Sequence, residues 1–300
     1  MRRAASGRRQ AGDRPRQWRC AVEPGNVDPG YGGDAVSEVQ ANTDDIVQVE
    51  YDEGVAIVTL NYPQRRNAFS LKMRQTLYER LYGLMYHDAE CRAIVLTGAN
   101  GVFCAGGDIS EMKDRTVMEY RERNLLPLNI FRLLVEGPKA VIAAVEGFAM
   151  GAGVSLAAAS DYVVSAPDTR YACAFVKVGL MPDTGLFWSL AQRVGAGKAR
   201  ELMLTADEFN GEQALHSGFA NQLAPAGDTR QAALEVARQY ARMPPLAVAH
   251  LKAALANGIG SLDQAIETEV NLQPIMRRSQ DHQEAAKAFM EKRPAVFVGN

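Results

Sequence analysis

The chain has 300 residues, of which 47 % are hydrophobic and 23 % charged, enough for one large globular domain or two modest ones. Thirty-three Lys and Arg against thirty-five Asp and Glu give a net charge of −2, so no global basic field speaks for nucleic acid. The longest uncharged apolar runs, 140–145 and 154–159, fall far short of the roughly 20 residues a membrane span needs. Four scattered Cys (Cys20, Cys91, Cys104, Cys173) with no CxxC pair speak against a metal site or a disulfide framework. They read as reduced thiols in a cytoplasmic protein.

Residues 1–20 hold seven Arg and one acid, Asp13, so the remaining 280 residues sum to −8. Residues 1–43 show almost no apolar periodicity and are rich in Gly, Pro, Arg and Ala, the composition of a disordered tail. The Arg-rich start resembles a transit peptide, but few Ser and no amphipathic pattern favour a dispensable extension, and no apolar signal-peptide core argues for export. Segments 46–51 and 55–60 are β-rich runs around the turn signal Asp52-Glu53-Gly54, which predicts a hairpin. Leu71, Leu77, Leu81, Leu84 and Met85 recur at helical spacing over 71–87, with Ser70 as N-cap. A buried strand over 93–97, a helix over 117–136 and a second buried strand over 140–145 follow, the helix stopping at Gly137-Pro138. After a small-residue helix from Ala152, short strands are expected at 161–165 and 171–173. Helices follow at about 186–194, 196–204, 211–217, 230–242, 245–257, 262–278 and 282–291. Residues 219–223 are the exception among them. The order implies an α/β core over 44–225 and a helical region over 226–300.

Two glycine turns stand out, 103–108 after the first buried strand and 147–153 after the second. Each presents backbone N–H groups at a helix start, where donors lack intrahelical partners and the dipole is positive. Two such turns facing one point would hold the negative oxygen of a thioester enolate. Residues 151–156 lack the third glycine of a dinucleotide fingerprint, Leu156 standing there, and no G-x-S-x-G elbow occurs.

Asn61-Tyr62-Pro63-Gln64-Arg65-Arg66-Asn67-Ala68 resembles the N-x-P-x-x-x-N-A segment of the crotonase superfamily, the enoyl-CoA hydratases and isomerases. Phe103-Cys104-Ala105-Gly106-Gly107-Asp108 resembles its F-x-A-G-x-D turn, 143–153 its A-A-V-N-G-x-A-x-G-G-G segment, and Phe289-Met290-Glu291-Lys292-Arg293 its closing F-x-E-K-R. The four motifs run in the family's order over about 46–294. The resemblance implies stacked ββα turns, a helical C-terminal part, a homo-trimer or dimer of trimers, and an acyl-CoA substrate of fatty-acid type. Coenzyme A then arrives as part of the substrate, and no further cofactor is implied. Gly107 and Ala152 would supply the oxyanion amides, Ala152 standing where many relatives have Gly. Ala68 and Ala105, with Asp108 and Phe289, would line the coenzyme A channel. Arg65, Arg66 and Lys292 or Arg293 would approach its phosphates, the last two from a neighbouring subunit.

The positions of the two glutamates used by hydratases of this family are here Ser155 and Phe175, neither of which can act as a base. Asp183, in the loop before helix 186–194, matches an aspartate that serves as base or nucleophile in several relatives. A lone carboxylate beside an oxyanion hole suits one-base proton transfer and a double-bond shift. Burial against Phe175 and Phe187 would raise its pKa. Three other readings stay open: Asp183 as a helix N-cap, a hydratase with atypical acid/base residues, and a non-catalytic acyl-CoA-binding member. Glu111, Glu119, Glu122 and Glu146 are further acids expected near the pocket. His87, His216, His250 and His282 fall outside the motifs.

Overall fold

A computed structural model describes residues 45–300; the expected tail over 1–43 and Cys20 lie outside the described residues. β1 (Val47–Asp52) and β2 (Val55–Leu60) form the predicted hairpin, antiparallel with Asp52 opposite Val55. The two connecting residues, Glu53 and Gly54, both have positive φ (47° and 80°), the geometry whose twist matches a two-residue hairpin. From β2 onward the sheet is parallel: β3 (Ala93–Gly98), β4 (Ala140–Val145), β6 (Tyr162–Ser165) and β9 (Gln222–Leu223) follow in the order β1-β2-β3-β4-β6-β9. A second sheet joins β5 (Phe148–Met150), β7 (Arg170–Ala172) and β8 (Phe209–Asn210).

β2 and β4 bury every residue because helices cover both faces of a parallel sheet. Alternate residues point to opposite sides. Val58, Leu60, Leu96 and Val141 meet α1 (Leu71–Tyr86), α2 (Val117–Glu136) and α3 (Ala152–Ala159) through Leu77, Leu134 and Leu156. Val55, Ile57, Val95 and Ile142 meet Ala233, Leu234 and Ala237 of α6 (Thr229–Ala241). The first helix of the 226–300 region is therefore part of the sheet's cover.

Ser70 caps α1, its Oγ accepting from Met73 N–H, and Thr116 and Glu119 close a reciprocal capping box on α2. α4 runs Leu186–Thr205 but is interrupted at Gly195 (φ 77°, ψ 156°), where the two predicted helices meet. α5 (Gly211–Ser217), α7 (Pro245–Ala256), α8 (Leu262–Arg278) and α9 (Gln280–Glu291) complete the chain. α8 buries none of its residues. Among the described residues no helix is long and apolar enough to cross a membrane.

Candidate active site

β3 and β4 are parallel neighbours, so their C-terminal ends, and the glycine turns that follow them, emerge at one edge of the sheet. There the turns are stitched together. Cys104 N–H donates to Phe148 O (3.2 Å), Met150 N–H donates to Cys104 O (3.0 Å), and Phe103 N–H donates to Glu146 O (3.0 Å). Gly106 (φ +91°) lies so close to the second turn that a Cβ there would stand 2.7 Å from the Met150 carbonyl oxygen. The 61–68 segment closes the assembly from the other side, with Ala105 N–H donating to Arg66 O (3.1 Å) and Phe69 N–H to Gly106 O (2.7 Å). Asn67 is fully buried at φ 55° and holds three main-chain groups: Tyr62 N–H donates to its Oδ1, and its Nδ2 donates to Ala99 O and Val102 O.

Beside these turns lies a cleft of about 350 Å³. Gly107, Ala152 and Asp183 all line it, together with Ala105 and Phe175. Neither the Gly107 nor the Ala152 amide donates to a protein acceptor among the described residues, as expected of donors at turn and helix starts. The rim carries exposed apolar side chains, including Ile109, Met112, Val178 and Met181, the pattern of a surface that receives an apolar ligand.

Asp183 does not cap α4. The capping residue is Gly185, with no side-chain hydrogen bond; among the described residues the only hydrogen-bond partner of the Asp183 carboxylate is the Thr184 hydroxyl at 3.0 Å. Its main chain is anchored instead, its carbonyl accepting from Leu186 N–H (3.1 Å) and from Ser155 Oγ (3.1 Å). Thr184, buried beside it, takes φ 52°, a left-handed conformation costly for a β-branched residue. Asp183 is open to the cleft, yet the walls displace enough water that desolvation raises its carboxyl above the ordinary range. The Thr184 hydroxyl and the Arg74 guanidinium pull the other way without cancelling it. Phe175 is part of those walls, its ring 3.7 Å from where a Gly151 Cβ would stand. The expectation for Phe187 is corrected: it is 51 % exposed and does not line the cleft, because the first turn of α4 points it outward.

Asp108, Glu111, Glu119 and Glu146 are committed elsewhere. Asp108 lines the cleft but caps the 3-10 turn 109–111, accepting from Ser110 N–H (2.9 Å) and Oγ (2.7 Å), contacts that with Arg65 hold its carboxyl below the usual range. Glu111 accepts from Leu71 N–H and pairs with Arg123 at 3.0 Å. Glu119 serves the α2 capping box, and Glu146 accepts from Gly227 N–H. Glu119, Glu122 and Glu146 do not line the cleft. Arg65 and Arg66 are exposed next to the first turn; Ala68 is buried behind it. Phe289 (82 % exposed) and Lys292 sit at the end of α9, away from this chain's own cleft. Arg74, Arg115 and Arg123 are cleft residues that sequence reasoning passed over; Arg74 holds an ordinary polar position on α1, and only the tertiary fold brings it to Asp183. Among the described residues no three His, Cys, Asp or Glu side chains gather to hold a metal.

A sequence model of the family described as enoyl-CoA hydratase/isomerase matches residues 50–300. A probable enoyl-CoA hydratase of Rhodobacter capsulatus is 34 % identical over 259 residues, covering 84 % of this chain and 98 % of that protein. The 1,2-epoxyphenylacetyl-CoA isomerase of Escherichia coli is 34 % identical over 256 residues, covering 83 % and 96 %. The crystal structure of a putative enoyl-CoA hydratase from Streptomyces coelicolor superposes with a TM-score of 0.81 at 33 % identity, covering 90 % of this chain and 99 % of that one. With its ββα core and glycine-turn cleft, the chain belongs to the enoyl-CoA hydratase/isomerase family of the crotonase superfamily, a family of enzymes acting on acyl-CoA thioesters.

Proposed function

We propose that this enzyme shifts a double bond within an enoyl-CoA thioester, using Asp183 as a single proton-carrying base. The observation that carries this reading is the state of the three cleft carboxylates: Asp108 and Glu111 are bound to backbone amides, whereas among the described residues Asp183 meets only its neighbour's hydroxyl. The thioester oxygen is held by the Gly107 and Ala152 amides, which stabilise the negative charge it acquires. The Asp183 carboxylate takes a proton from the carbon next to the thioester carbonyl of a 3-enoyl group, giving a dienolate. The same carboxyl returns that proton to the γ carbon, leaving the conjugated 2-enoyl thioester with no net gain or loss of atoms. A carboxyl raised above its ordinary value is better matched to both halves of this task.

The coenzyme A moiety would run along Ala105 and the 65–68 segment, with Arg65 and Arg66 near its phosphates. Phe289 and Lys292 reach a coenzyme A channel only if a neighbouring copy supplies them. Self-association into a trimer fits the exposed Leu262, Ile266 and Val270 of α8, and sedimentation analysis tests it.

Incubation with 2-enoyl-, 3-enoyl- and aromatic acyl-CoAs, read by mass spectrometry and chromatography, tests the reaction. A regiochemical change without mass gain is expected; gain of one water identifies a hydratase and overturns the isomerase reading. Asp183→Asn should lower kcat by about a thousandfold while acyl-CoA affinity is retained. Unchanged turnover removes Asp183 from the mechanism.

A further inference from the structure

The wall of the cleft facing Asp183 is unusually cationic for a site that takes a hydrocarbon chain. Arg74 comes from α1, Arg123 from α2 and Arg115 from the loop between the 3-10 turn and α2, and all three line the cleft. They are not equivalent. Arg123 is neutralised by Glu111 at 3.0 Å. Among the described residues Arg115 donates only to main-chain carbonyls, those of Glu111 (2.9 Å) and Lys113, and lies 6.0 Å from the Tyr120 ring centroid. Arg74 donates its Nε to Phe69 O (2.9 Å) and stacks over the Phe69 ring at 5.3 Å; its two Nη groups have no protein acceptor among the described residues.

Asp108, the third cleft carboxylate, accepts from Ser110 N–H and Oγ and pairs with no guanidinium among the described residues. Three guanidinium groups and three carboxylates thus line the cleft, but among the described residues the one ion pair between them, Arg123–Glu111, leaves Arg74 without a partner. Arg74 is half-buried, and among the described residues no carboxylate comes within ion-pairing distance of it. A plain alkyl chain filling the cleft would strip water from those Nη groups and return no hydrogen bond, leaving buried donors unsatisfied. A carboxylate fits a guanidinium fork with two parallel hydrogen bonds and satisfies those donors.

We propose that the acyl group bound here ends in a carboxylate, making the substrate class ω-carboxyacyl-CoA thioesters, and that Arg74, seconded by Arg115, receives that terminus. This rests on the reading of the cleft as an acyl-CoA site, but not on which reaction occurs there. Arg74 is then a specificity-determining residue as well as a cation whose field reaches the base. The rival role, a group that only keeps Asp183 ionised, gives it no preference among acyl termini.

Calorimetric binding of saturated acyl-CoAs separates these, because saturated chains cannot isomerise or hydrate. Glutaryl-, adipyl- and suberyl-CoA are compared with methyl-ended pentanoyl-, hexanoyl- and octanoyl-CoA. At the chain length that reaches Arg74, the carboxylate-ended ligand should bind about tenfold tighter than its methyl-ended counterpart. In Arg74→Gln that ratio should fall to about one, and Arg74→Lys should retain part of it. Circular dichroism verifies that both variants fold, and Arg115→Gln, on a surface loop, should lower the ratio independently. Equal or tighter binding of the methyl-ended member at every length overturns the proposal, as does an unchanged ratio in Arg74→Gln. Water gain in the turnover assay would instead overturn the isomerase reading and leave this ratio untouched. Failure of every acyl-CoA to bind would sink both.

Discussion

Ser155 Oγ donates to the main-chain carbonyl oxygen of Asp183 at 3.1 Å. The residue standing where the family resemblance places a glutamate thus ties the turn that bears the candidate base to helix α3. Ser155→Ala removes one hydrogen bond and should cost about 1 kcal/mol of stability. It should also lower kcat about tenfold by loosening Asp183, because catalysis is sensitive to small displacements. Ser155→Glu should not create hydration. The site is fully buried among small residues of α3, so the carboxylate would be stranded without a partner and would destabilise the fold by about 3 kcal/mol or more. Urea unfolding and product mass check both variants.

Burial raises the Asp183 carboxyl, and the Arg74 guanidinium partly lowers it. A base works only when deprotonated, so kcat/KM should fall as pH drops through this raised value, on an acid limb above that of an exposed aspartate. Removing the guanidinium takes away a lowering influence. In Arg74→Gln the limb should therefore move to higher pH, and a pH–rate profile that stays in place or moves down contradicts the assignment of that limb to Asp183.

The two glycine turns meet with no room between them. A Cβ on Gly153 would lie 2.6 Å from the Cys104 carbonyl oxygen, whereas one on Gly107 would meet nothing within 4 Å. Gly153→Ala should cost about 1–3 kcal/mol of stability through overpacking. It should lower kcat about a hundredfold by parting the amides. Gly107→Ala should leave stability within about 0.5 kcal/mol. Denaturant midpoints and initial rates test the contrast.

Cys91, Cys104 and Cys173 are buried, and burial pushes their thiols up to about 11, 11 and 12 respectively. Alkylation at pH 8 followed by peptide mapping should leave all three unmodified in the native protein and label them after unfolding.

Lys252 of α7 is buried, pairs with Asp161 and donates to Leu134 O and Lys139 O at 2.9 Å each. Desolvation lowers its ammonium pKa, and Asp161 opposes that shift. Lys252→Ala strands a carboxylate and two carbonyls and should cost about 3 kcal/mol, read as a lowered denaturation midpoint with kcat little changed.

Much of this was legible from local signals. The hairpin follows from Glu53-Gly54, Ser70 caps α1 as its position suggests, and the break near residue 195 reflects a glycine in a conformation no helix contains. The short strands β5 and β8, three and two residues long, carry no usable periodicity and exist only through partners supplied by the fold. Gly107, Ala152 and Asp183 were reachable through motif spacing, and the structure brings them to one cleft. Arg74 was not, since nothing on a helix face distinguishes a solvated arginine from one folded in against a distant loop. Phe187 shows the converse: proximity in sequence to Asp183 did not place it in the cleft.

The Asp183 turn is fastened by its peptide groups, to Ser155 and Leu186, while the carboxylate of residue 183 holds only the neighbouring Thr184 hydroxyl among the described residues. Replacing that carboxylate therefore alters reactivity without dismantling the turn around it. The frame of this turn is thus set by main-chain bonds that a change of side chain at residue 183 leaves in place.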